Sequence, residues 1–130
     1  GVTIMDNINL TNSEWYVLDC LWEKSPQTVM ELVAALGTRL GWAKSTTITT
    51  LRRMEAKGLV HCTVEGRARH YTPNLQRDRA VRGETRSFLD KVYRGSVGLM
   101  VSALAEDKAL SRAEIDELYE ILRKAEEGQR

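Results

Sequence analysis

Residues 44 to 57 place hydroxyls and cations at spacings that suit contact with a polyanion. On a wheel of about 100° per residue, Thr47, Ile48, Leu51 and Met54 fall on one face, the face to bury. Thr46, Thr49 and Arg53 fall opposite, flanked by Ser45, Thr50, Arg52 and Lys57, with Lys44 at the helix start. This outer face carries no carboxylate. Thr and Ser donate to phosphates or base edges, and a Thr methyl packs on a thymine methyl. Arg bridges guanine O6 and N7. The first turn, at Ser45 and Thr46, also offers free backbone N–H groups to a phosphate. Threonines at 46, 47, 49 and 50 are weak helix formers, so helix stability alone does not account for this surface. Past the helix, Arg67 and Arg69 alternate on a β-rich run, project to one face, and suit phosphate or minor-groove contact.

The elements that must hold these residues are legible from caps and period. Leu10-Thr11-Asn12-Ser13-Glu14-Trp15 reads as a capping box (Thr11 with Glu14) and a hydrophobic staple (Leu10 with Trp15). Trp15, Leu18 and Trp22 then recur at helical spacing, until Ser25-Pro26-Gln27 breaks the helix. Thr28 and Glu31 form a second capping box before the stripe Val29, Leu32, Val33, Leu36 and Leu40. A third helix spans Lys44 to Lys57 and closes at Gly58. Ala43 stands where a capping Ser is expected. Leu59 to Val64 and Arg67 to Tyr71 then read as a hairpin, with Glu65-Gly66 as the loop and Pro73 as the stop. That loop pairs residues 64–67, 63–68, 62–69 and 61–70, so His61 faces His70 and Cys62 points to the other face. Two ligands do not close a metal site, and no metal is expected. Cys20 and Trp42 read as core.

The rest reads as helix. Val81, Thr85, Phe88 and Val92 share a face of a segment from Gln76 to Tyr93, and Gly95 interrupts it. Val97 to Ala105 is apolar nearly all round, which predicts burial on more than one side. Ser111 and Glu114 make a third capping box ahead of Ile115, Leu118, Tyr119 and Leu122. The tail from Glu126 reads as frayed. These short stripes cannot close a core alone. Phe88, Val92, Val97, Leu99, Met100, Leu104, Ile115, Leu118 and Leu122 are therefore expected to pair with a second copy. The architecture predicted is mainly α. A winged helix-turn-helix DNA-binding domain (1–74) precedes a C-terminal helical dimerisation domain (75–130).

Composition agrees with a soluble globular protein. The 130 residues are 42% apolar and 28% charged, with a net charge of +1. That balance hides a pattern: residues 39–73 carry +5 and residues 74–95 carry +3, between flanks of −4 and −3. A basic middle between acidic ends suits a nucleic-acid face on a chain that otherwise avoids sticking. Gly95 to Ala105, the longest uncharged stretch after the start, is too short to span a bilayer. No signal peptide is visible, and Met5 reads as a natural start preceded by Gly1 to Ile4. Two cysteines are too few for a disulfide scaffold, and a cytoplasmic setting keeps them reduced. No phosphate loop, zinc-protease motif or nucleophile elbow is present, so neither an enzyme nor a cofactor is expected.

The residues also resemble a known family. Leu10-Thr11-x-x-Glu14-Trp15-x-Val17-Leu18-x-x-Leu21-Trp22 is similar to the opening of the penicillinase-repressor family. So is Trp42-x-x-x-Thr46-x-x-Thr49, followed by Leu51-x-Arg53-Met54-x-x-Lys57-Gly58-Leu59-Val60. Phe88-x-x-Lys91-Val92-Tyr93-x-Gly95 and Leu110-Ser111-x-x-Glu114-Ile115-x-Glu117-Leu118 resemble its dimerisation helices. The match runs from residue 10 to about residue 124. That family includes penicillinase and methicillin-resistance repressors and a copper-homeostasis branch.

The resemblance implies a cytoplasmic homodimeric repressor on a palindromic operator in double-stranded promoter DNA. In the best-known members a membrane sensor protease responds to β-lactam, and the repressor is cut between Asn and Phe in its dimerisation region. This sequence has no Asn-Phe dipeptide; Val101-Ser102-Ala103-Leu104 stands at the corresponding stretch. It also lacks the cysteine cluster of the copper branch. The competing reading is a winged-helix protein–protein interaction module without specific DNA binding.

Overall fold

The computed structural model describes residues 9–129. Gly1 to Met5, with the expected start, lie outside the described residues. The elements in chain order are α1 (Asn12–Glu23), β1 (Gln27–Thr28), α2 (Val29–Leu40), α3 (Lys44–Lys57), β2 (Val60–Glu65) and β3 (Ala68–Pro73). They continue as α4 (Arg77–Tyr93), α5 (Val97–Glu106) and α6 (Arg112–Gly128). The chain divides into two compact units, Gly1–Thr85 and Arg86–Arg130.

In the first unit, helix starts follow the side-chain caps. Thr11 Oγ1 accepts from the Glu14 N–H, and Glu14 Oε1 accepts from the Thr11 N–H at 2.9 Å. Thr28 and Glu31 repeat the arrangement on α2. Apolar faces of α1, α2 and α3 then meet over Val17, Leu18, Leu32, Leu36, Leu51 and Met54, all buried. The Trp15 and Trp22 rings meet edge to face at 5.3 Å, and the Trp22 indole N–H donates to the Leu75 carbonyl at 2.8 Å. Leu75 and Ala80 belong to this same core, and the Leu10 N–H donates to the Glu84 carboxylate at 3.1 Å. The expected boundary after residue 74 therefore falls inside the first unit, because the start of α4 completes its core.

Two features of the sheet differ from expectation. A short strand, β1, joins the hairpin and gives the order β1-β3-β2. The Gln27 side chain explains the bend before it: its amide donates to the carbonyls of Cys20 and Lys24 at the end of α1. The hairpin loop is Gly66-Arg67 rather than Glu65-Gly66. Glu65 pairs with Ala68, Val64 with Arg69, Thr63 with His70 and Cys62 with Tyr71. Gly66 takes the first loop position with φ +62°, and Arg67 stays out of the positive-φ region. That is the primed turn in which only the first residue must be left-handed, a role suited to Gly. His61 now faces Thr72 and His70 faces Thr63, so the two histidines are not opposite. Among the described residues no cluster of three or more His, Cys, Asp or Glu could hold a metal.

In the second unit, Ser96 caps α5, and Ser111 and Glu114 form the capping box of α6. Helix α6 continues to Gly128, past the point where fraying is expected. Helix α5 buries no residue: Val97, Leu99 and Leu104 are 56%, 58% and 42% exposed. The burial expected of this segment on more than one side is absent within the single chain. Among the described residues no helix is long and apolar enough to cross a membrane.

Glu14 is buried and gives its second oxygen to Lys57 Nζ at 2.6 Å. Burial opposes its ionisation, but Lys57 and the Thr11 cap outweigh burial and hold its carboxyl below its ordinary value of 4.5. Glu14→Gln is expected to destabilise the protein by about 1–2 kcal/mol at pH 7, the range of a charge-assisted hydrogen bond to a half-exposed partner. A lowered folded value means that the stabilisation is full above 4.5 and is lost as pH falls through the folded value. Urea unfolding of both proteins at several pH values checks this, and the gap should close under acid.

Candidate nucleic-acid interface

Helix α3 owes its orientation to the side it buries. Thr47, Thr50, Leu51 and Met54 are essentially inaccessible, and Ile48 is half-buried. The buried sector is therefore rotated toward Thr50 relative to the wheel reading. Lys44, Ser45, Thr46, Thr49, Arg52 and Arg53 are exposed and lie together on the outer side. Two predicted contacts leave that set. The Thr50 hydroxyl turns back and donates to the Thr46 carbonyl at 2.8 Å, the usual refuge of a Thr inside a helix. Lys57 is half-exposed but tied to Glu14. Both residues sit beside the outer face on a wheel, and only the structure shows that Thr50 is taken by its own helix and Lys57 by α1.

The N-terminus of α3 is open. Ala43 occupies the cap position in extended backbone and supplies no side-chain hydrogen bond, and the first turn contains no acid. The other end is closed by Gly58 at φ +79°, whose N–H reaches the Glu55 and Met54 carbonyls. The following residues tie the hairpin to this point: the Leu59 N–H donates to Met54, and the Asn74 N–H donates to Leu59. The wing thus springs directly from the end of α3.

On the wing, Arg67 lies in the loop and is exposed. Arg69 lies on β3, so the two arginines do not alternate along one strand. Arg69 Nη2 is 3.6 Å from Glu55 Oε1 on α3. Its guanidinium also interacts with the Cys62 thiol and the Tyr71 phenol, which strengthens its hold on its proton. Tyr71 is buried, and burial together with Cys62 pushes its phenol up. A pocket of about 220 Å³ lies between α3 and the wing, lined by Val29, Ile48, Leu51, Arg52, Arg69 and Tyr71. The wheel missed Glu55 and Ile48 as parts of this region. They lie on the flank that faces the wing, and only the hairpin's position reveals their role.

The profile of the penicillinase repressor family matches residues 10–124. The chain belongs to the penicillinase repressor family. The penicillinase repressor of Bacillus licheniformis is 33% identical over 113 residues, covering 87% of this chain and 88% of that protein. The methicillin resistance regulatory protein MecI of Staphylococcus aureus is 25% identical, covering 92% of this chain and 99% of that protein. Among solved structures, the monomeric form of Bacillus licheniformis BlaI in complex with the blaP half-operator superposes with a TM-score of 0.50 at 27% identity. It covers 56% of this chain and 89% of that one. The fold of the first unit is the expected winged helix-turn-helix.

Thr47 Oγ1 is fully buried without a hydrogen-bond partner. Thr47→Val keeps the shape and removes an unpaired hydroxyl, so it should stabilise the protein by about 1 kcal/mol. Thermal unfolding measures this, and DNA affinity should not change because Thr47 faces the core.

Proposed function

We propose that this family member is a sequence-specific transcriptional repressor that acts as a homodimer on a palindromic operator in double-stranded DNA. Helix α3 enters the major groove, and the wing lies against the backbone. The observation that carries the reading is the outer side of α3. Lys44, Ser45, Thr46, Thr49, Arg52 and Arg53 are exposed together there, without a carboxylate, at an uncapped helix N-terminus. The uncapped, acid-free first turn leaves backbone N–H groups available to a phosphate. The likeness to a BlaI bound to its half-operator supports the same reading. The protein–protein module has no comparable observation in its favour.

The second unit supplies the pairing surface in this reading. Phe88, Val92, Val97, Leu99, Leu104 and Leu122 are each more than 40% exposed, while Met100, Ile115 and Leu118 are partly covered. Apolar side chains in such number are covered in a stable protein, and a second copy is the partner that a palindromic operator requires. A cut in α5, by a membrane sensor protease or another enzyme, would separate the copies and release the operator. Residues 101–104 present no Asn-Phe bond for it.

Footprinting on the DNA upstream of the protein's own gene, across a salt series, tests the function. A discrete palindromic footprint with steep salt dependence is expected, and sequence-blind binding would overturn the reading. Arg53→Ala should cost about 1–3 kcal/mol at one base position if Arg53 reads a guanine. An equal loss on every sequence, with the salt slope reduced by about one, would assign it to a phosphate instead. Sedimentation of the wild type at micromolar concentration should give a dimer, and Leu99→Lys with Leu104→Lys should give a monomer.

A further inference from the structure

Of the two wing arginines, one is held and one is not. Arg69 is bound to Glu55 across the junction of α3 and β3 at 3.6 Å. The hairpin register places Arg69 and Tyr71 on one strand face, with Cys62 directly across from Tyr71. Arg69 and Tyr71 also line the pocket beneath the wing together with Ile48 and Leu51 of α3. The guanidinium is thus occupied in the cleft between recognition helix and wing. Arg67 sits at the loop tip, exposed, and makes no ion pair among the described residues.

We propose that Glu55 and Arg69 form a strut that fixes the angle of the wing against α3, and that Arg67 alone is the wing's phosphate contact. This rests on the DNA-binding reading given above. The Glu55–Arg69 pair carries no net charge, so it displaces no counterion from DNA. Surface pairs of this kind add little to stability. Their geometric effect is larger here, because the wing springs from the end of α3 and its tip magnifies any change of angle at the base. Glu55 and Arg69 are positioning residues: they act on DNA through where they put Arg67.

The test uses the full chain with Arg67→Ala, Arg69→Met, Glu55→Gln and the Glu55→Gln/Arg69→Met double variant. On a random-sequence duplex across a salt series, Arg67→Ala should lower the salt slope by about one, and Arg69→Met should leave it unchanged. On the footprinted site, Arg69→Met and Glu55→Gln should each weaken binding by about three- to fivefold, the upper weight of a surface pair. The double variant should be no worse than either single one. The sign for Glu55→Gln is diagnostic, since removing an acid near DNA strengthens binding if only charge matters. In the free protein, residual dipolar couplings of β2 and β3 amides relative to α3 should change in Glu55→Gln and Arg69→Met but not in Arg67→Ala. A slope lowered by about one in Arg69→Met, tighter binding by Glu55→Gln, or unchanged couplings in both strut variants would each overturn the proposal. A wild type that binds no DNA would sink the repressor reading, while the couplings would still decide the strut.

Discussion

The carboxylate of Glu14 is the polar point at which α1 and α3 of the first unit are tied together. One oxygen closes the start of α1 and the other holds Lys57 in the last turn of α3. A buried charge is tolerated only where its partners replace the water it has lost. Glu14 obtains Lys57 only when α1 and α3 are in register, so their relative placement is specified by polar chemistry as well as by the apolar contacts of Leu18, Leu51 and Met54. The outer face of α3 points where it does because its apolar side is buried and its last turn is held in this way.

The separation of holding residues from displayed ones follows from that arrangement. Lys57 and Thr50 have cations and hydroxyls of the right kind for DNA, yet both are committed within the protein. What remains exposed on the outer side is a set of residues between Lys44 and Arg53, beside an end left uncapped. The positive charge of residues 39–73 is thereby divided between residues that support the surface and residues that form it.

Local chemistry was readable from the sequence, and cross-element packing was not. Thr11 with Glu14, Thr28 with Glu31 and Ser111 with Glu114 formed as capping boxes because each depends on four consecutive residues alone. The bounds of α3 followed from its period and from Gly58. The hairpin register escaped because Gly66 suits either loop position by type, and the choice depends on the sheet that the strands must join. Strand β1 escaped because two residues carry no period, and its pairing with Tyr71 and His70 is long-range. A helical wheel has no means of registering that Glu14 takes up Lys57 or that Glu55 reaches the wing. The apolar character of α5 was legible, whereas its exposure within one chain was not.

Ala43 has a thermodynamic meaning as well as a geometric one. A Ser or Asp in its place would stabilise the free protein by about 1 kcal/mol by accepting an N–H at the helix start. The free protein forgoes that contribution, and no side chain caps the start of α3. A phosphate oxygen docked there, as the DNA-binding reading requires, would supply an acceptor that no side chain gives. In the DNA-binding reading, part of the affinity at this end would be cap energy that the free chain leaves unused.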